Sequence, residues 1–141
     1  MTYSIAAADD GQYIVVKVEG IITRRMAMEW TVAAHGLGRQ LQIHRYLVDV
    51  TRARNKERVI ENYDFAYLDM QAEGIDRSAR IAVLAAPGDD SHDFVATAAA
   101  NAGLNFKLFT EREKAMGFLL ADGPGRGSAT RDAAGPPEAD E

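Results

Sequence analysis

The densest run of chemistry-capable side chains lies between Asp49 and Arg58. Asp49 closes a strand-like segment, and Thr51, Arg52, Arg54, Asn55, Lys56 and Arg58 follow it directly. This places four cations within seven residues, at the carboxyl end of an expected strand and the amino end of an expected helix. Helix N-termini offer free amides and partial positive charge, and so attract anions. Ligand crevices in open α/β sheets form beyond the carboxyl ends of strands. The combination points to an anionic or phosphate-bearing ligand, with Thr51 and Asn55 as hydrogen-bond donors. The turn Pro87-Gly88-Asp89-Asp90 follows a second strand-like run, so Gly88 and Asp89 are expected to line the same crevice. The bland alternative is a solvated loop whose cations pair with Glu57, Glu61 and Asp89 or Asp90. An acidic protein surface would suit the same charges.

Other candidate chemistry is sparse. Ser91-His92-Asp93 has the composition of a catalytic triad, but triad partners meet in space rather than as chain neighbours. Asp90 or Ser91 is more simply a helix N-cap. No glycine fingerprint and no P-loop lysine accompany the 87–90 turn. His35, His44 and His92 lack metal-ligand spacing. Asp64, Asp69 and Glu73 read as the wet face of a helix. The chain has no cysteine, which excludes disulfides, Cys-ligated zinc, iron–sulfur clusters and thiol catalysis. The reading is therefore of no catalytic residues, no metal and no cofactor.

Bulk properties narrow the partners. The net charge of −5 gives no electrostatic support to nucleic-acid binding. No apolar run reaches the ~20 residues of a membrane span. The N-terminus lacks a basic-then-apolar signal pattern, so the expected compartment is the cytoplasm. The 141 residues suit one domain. Residues 122–141 hold five acidic and two basic side chains, three of the four prolines, and no aromatic, Leu, Ile, Val or Met. Such a segment cannot offset its ordering entropy by burial. It is expected to be a flexible acidic tail on a domain of residues 1–121.

These candidates must be positioned by alternating strands and helices. Tyr3 to Ala8 and Tyr13 to Glu19 are expected strands flanking the turn Asp9-Asp10-Gly11. Gly20 is expected to end the second. Thr23 caps a helix through about Leu41, with Met26, Trp30, Ala34, Leu37 and Leu41 on one stripe. A strand over 45–50, a helix over 57–73 with Gly74 as its C-cap residue, and a strand over 80–85 come next. An alanine-rich helix over 91–102 and a strand over 105–109 follow. The last helix opens on the capping box Thr110-Glu-Arg-Glu113 and runs through Leu120. The order β-β-α-β-α-β-α-β-α predicts an α/β layered domain with a mixed five-stranded sheet and four helices. Tyr63, Tyr67 and Met70, with Phe65, cover more than one helix face. Either that helix is sunk deeply, or Tyr63, Tyr67 and Met70 form an apolar interaction face.

The runs Tyr46-Leu-Val-Asp-Val50, Ile81-Ala-Val-Leu84 with Gly88, and Asn101-Ala-Gly103-Leu-Asn-Phe-Lys-Leu-Phe109, each followed by a helix, carry a resemblance over nearly all of residues 1–121. The chain resembles the STAS-like superfamily, which includes sulfate-transporter and anti-sigma-factor-antagonist domains, and in particular its small stand-alone bacterial branch. The resemblance implies a sheet covered mainly on one face and a non-enzymatic regulatory or protein-binding role. Asp49 matches the acidic position of the antagonists. The phosphoacceptor segment has no counterpart, because Thr51 comes too early and residues 52–57 contain no serine or glycine. The expected function is a non-catalytic regulatory or protein-interaction domain that self-associates as a homodimer. The alternative is a carrier or sensor of a lipidic or anionic small molecule, held between the second helix and the 51–55 and 87–90 loops.

Overall fold

The computed structural model describes residues 2–72 and 74–121. The expected 122–141 tail and Glu73 lie outside them. Five strands, β1 (Thr2–Ala7), β2 (Ile14–Ile22), β3 (Arg45–Asn55), β4 (Arg80–Leu84) and β5 (Asn105–Phe109), form one sheet in chain order. β1 runs antiparallel to β2, and every later neighbour is parallel. The antiparallel pair needs only a tight turn, which Gly11 supplies with φ +74°. Each parallel pair from β2 onward is joined by a helical crossover, as geometry demands. The helices of the described residues are α1 (Arg24–Leu41), α2 (Val59–Tyr67), α3 (Asp93–Asn101) and α4 (Arg112–Leu119). The α/β layered fold with a mixed five-stranded sheet is as the sequence predicts.

Side-chain alternation divides the core into two layers. Tyr46, Val50, Ile81 and Val83 belong to the larger layer, under α1, α2 and α3. Leu47, Ala82 and Leu84 face the other way and pack with Ala115 and Leu119 of α4. β4 is buried along its whole length, the mark of a central parallel strand covered on both faces. α1 lies across β1 and β2, whereas α2 rests on α3.

Several boundaries differ from the sequence reading. Gly20 does not end β2, which continues to Ile22 with Gly20 at φ +103°. Thr51–Asn55 is not a loop but the second half of β3, in which Arg52–Asn55 pair with Glu19–Ile22 of β2. Its charges conceal a strand period in which Ala53 is buried while Arg52 and Arg54 are exposed. α2 stops at Tyr67, well before Gly74, and a single 3-10 turn (Asp69–Gln71) follows. That turn carries Met70 into the core and brings Asp69 to Arg24. α3 begins two residues later than expected, after His92. The capping box does not form: Glu111 is the N-cap residue of α4 and makes no side-chain cap bond. Thr23 does cap α1, its hydroxyl accepting from Met26 N at 3.3 Å.

Candidate functional site

Between the sheet and α1, α2 and α3 lies a cavity of about 90 Å³. Val16, Val48, Val50, Ile81, Val83 and Phe106 form its floor, and Ala27, Trp30, Ala34, Phe65 and Met70 its walls. The chain's single tryptophan is therefore a wall of the cavity.

Four buried polar side chains interrupt this apolar lining: Thr31, His35, Asn62 and His92. His35 Nδ1 accepts the Asp76 backbone N–H at 2.9 Å, so the ring proton sits on Nε2. Burial is the main reason that the His35 pKa is pushed down to about 4, which keeps the ring neutral. His92 Nε2 faces the Ala53 carbonyl and an Asp89 carboxylate oxygen, each at 3.3 Å. Both neighbours accept, so Nε2 carries the proton there. Asn62 Oδ1 accepts from Asn55 Nδ2 at 2.9 Å. The Thr31 hydroxyl and the His35 Nε2–H have no protein partner among the described residues.

The mouth is built around Arg24 at the start of α1. Its guanidinium donates to both oxygens of Asp69 at 2.8 and 3.0 Å, to Glu61 at 3.2 Å and to Asp64 at 3.4 Å. Its backbone N–H donates to Glu57 at 2.6 Å. Above all the Asp69 bond, opposed by burial and aided by Glu61 and Asp64, raises the Arg24 pKa further still. The clamp ties α1 to α2 and to the turn after it, across the cavity mouth. With Arg58 also on Glu61, four carboxylates stand against two guanidiniums and leave this corner net acidic.

A bulge decides which side chains reach this site. Lys17 pairs with Asp49 but Glu19 pairs with Arg52, so β3 carries one extra residue there. Tyr46, Val48 and Val50 face the cavity before the bulge; Ala53 is buried and Asn55 lines the cavity after it. The parity change sends Arg52 and Arg54 outward. Arg52 pairs with Glu19 at 3.7 Å, Arg54 with Asp89 at 3.3 Å and Arg58 with Glu61 at 3.2 Å. The 51–55 and 87–90 segments do meet through Arg54 and Asp89, and Asn55 N donates to the adjoining Ser91 Oγ at 3.1 Å. Asp89 is nearly buried. Burial pushes its pKa up, but bonds from the Ser91 backbone and side chain, with His92 and Arg54 alongside, outweigh this and hold it below the ordinary carboxylate value. Gly88 takes φ +85° on an open surface.

Asp49 and Thr51 belong to a different corner. Asp49 Oδ1 accepts from Thr51 N and Oγ1 at 3.0 and 2.7 Å, and Oδ2 from Arg112 of α4 at 3.3 Å. Ser91, His92 and Asp93 make no triad: Ser91 Oγ accepts from Asn55, and His92 faces Ala53 and Asp89. Met70 is core, whereas Tyr63 and Tyr67 are partly exposed beside Ile60 and Leu68. Sequence reasoning passed over Arg24, Thr31 and Asn62, and weighed His35 only as a metal ligand. One signal was available: Thr31 and His35 stand four apart on α1 beside Ala27, Trp30 and Ala34, polar groups on a core-facing stripe. Comparison with protein-family models, curated proteins and solved structures gave no match.

Proposed function

We propose that this chain is a non-catalytic, STAS-like regulatory domain that senses or carries a small, mainly apolar molecule in the cavity between the sheet and α1, α2 and α3. One observation carries the reading: an apolar cavity that also presents buried hydrogen-bonding groups without protein partners. A buried donor left unpaired costs about 1–3 kcal/mol, so such groups ordinarily have a partner. A mainly apolar pocket with a few placed polar groups is the usual form of a ligand site. The outward pairing of Arg52, Arg54 and Arg58 disfavours the anionic ligand that the sequence suggested, and so does the acidic mouth.

Trp30 supplies the test. Its emission and the protein's Tm are followed while n-hexane, 1-hexanol and 2-hexanone are titrated in. A saturable emission change with a raised Tm for at least one is the expected result. Ala34→Phe, which fills the cavity, abolishes it. Unchanged emission and Tm for all three would overturn the reading.

A second reading rests on a separate observation. Ile60 and Leu68 are 55% and 60% exposed next to Tyr63 and Tyr67 on α2. This face suits a protein partner or a second copy of the chain, and α2 also covers the cavity. A ligand beneath α2 could thus alter what binds above it. Light scattering that gives a monomer at millimolar concentration would remove the second copy from consideration.

A further inference from the structure

Resting on the cavity reading above, we infer that the ligand is an uncharged, unbranched molecule bearing a carbonyl oxygen, which accepts hydrogen bonds from His35 Nε2–H and the Thr31 hydroxyl. Three observations converge on this. Thr31 and His35 are 7% and 3% exposed, line the cavity, and stand one turn apart on the same face of α1. A helical threonine commonly returns its hydroxyl to the carbonyl four residues back. Thr97 does so with Asp93 O at 3.1 Å, but Thr31 makes no such bond. The third observation is the fixed tautomer. The Asp76 N–H occupies His35 Nδ1, so the ring can offer only a donor from Nε2. Two donors one turn apart match an oxygen with two lone pairs.

Charge and size exclude the competing classes. An anionic head would pass Glu57 and Glu61 at the mouth, with Asp64 and Asp69 beyond them, against the two guanidiniums of Arg24 and Arg58. A cationic head could use only the Thr31 hydroxyl oxygen as an acceptor and would face the His35 Nε2–H donor unpaired. At about 90 Å³ the cavity is smaller than the ~150 Å³ apolar cavity known to admit a single benzene ring, so it takes a slim chain rather than a fused ring system.

The experiment uses the full chain and four six-carbon probes: 2-hexanone, n-hexane, hexanoate and hexylamine. Affinities are read by titration, and the His35 ring nitrogens are followed by ¹⁵N NMR. The expected result is that 2-hexanone binds about tenfold tighter than the other three, the effect of one good hydrogen bond. It also shifts the Nε2–H resonance while leaving Nδ1 in place. Thr31→Val lowers the ketone affinity several-fold and leaves that for hexane unchanged. Equal binding of ketone and hexane with an unmoved ring resonance would overturn this inference and spare the cavity reading. Tightest binding of hexanoate or hexylamine would likewise overturn it. Binding of none of the four would overturn both. The ring resonance needs no variant, so a poorly folding substitution does not blunt the test.

Discussion

The imidazole of His35 lies flat on the phenol ring of Tyr46, with centroids 4.5 Å apart and planes 10° from parallel. The stack joins α1 to the start of β3, and both residues line the cavity. Burial pushes the Tyr46 hydroxyl up to about 12, just as it pushes His35 down. Both rings are therefore held in their neutral forms.

The buried imidazole makes stability depend on pH. The unfolded chain takes up a proton near 6.5, whereas the folded chain resists until about 4. Between these values the unfolded state holds more protons, so stability falls as pH falls. The loss approaches about 3 kcal/mol by pH 4. Urea denaturation from pH 7.5 to 4 should follow this slope, and His35→Phe should flatten it. Asp76 and Asp89, held below the ordinary carboxylate range, contribute losses only at still lower pH.

Two glycines of α1 should respond oppositely to alanine. A Cβ on Gly38 would collide with the Tyr46 hydroxyl and lie 2.8 Å from Ile43 O. Gly38→Ala should cost about 1–3 kcal/mol by displacing the stacked pair. At Gly36 a Cβ would meet only the end of Arg39, at 4.0 Å. Gly36→Ala should gain about 0.5–1 kcal/mol from helix propensity. Denaturation midpoints of the two variants decide the matter.

Arg24→Met should loosen α2 without unfolding the domain. The guanidinium is partly exposed, so the clamp contributes about 1 kcal/mol and weakens with salt. Amide exchange should quicken in α2 and the following turn, while β3 and β4 keep their protection. Molar salt should produce the same change in the parent chain and no further change in the variant.

Arg80 fastens the end of α4. Its Nη1 donates to the carbonyls of Phe118, Leu119 and Ala121, at 3.1, 3.3 and 2.7 Å. Cations satisfy helix C-terminal carbonyls well, and here the guanidinium is buried. Arg80→Met should cost about 2–3 kcal/mol by stranding these acceptors. Arg77→Met, at an exposed position, should be neutral within about 0.5 kcal/mol in the same denaturation assay.

The architecture was legible because it rests on long apolar periods. The β-branched run of β2, the buried runs of β3 and β4 and the stripe of α1 each announced their element. The site was less legible. Thr51–Asn55 looks like a loop because its exposed face is charged and its inward face offers only small Ala53 and polar Asn55. Its pairing with Glu19–Ile22 is a long-range property that local composition does not express. The Arg24 clamp likewise draws on Glu57, Glu61, Asp64 and Asp69, up to 45 positions away. Thr110 failed as a cap because α4 begins after Glu111, one residue beyond it.

The irregularity opposite Val18 has a consequence for how this pocket could evolve. Deleting either Val50 or Thr51 would restore a regular ladder and leave Ala53 and Asn55 opposite Gly20 and Ile22, still inward; a straight ladder that kept both residues would instead set Arg52 and Arg54 opposite Gly20 and Ile22, aiming guanidiniums inward. The uncharged lining at this end thus hangs on the bulge rather than on any one side chain: the same residues in an unbroken register would line it with guanidiniums.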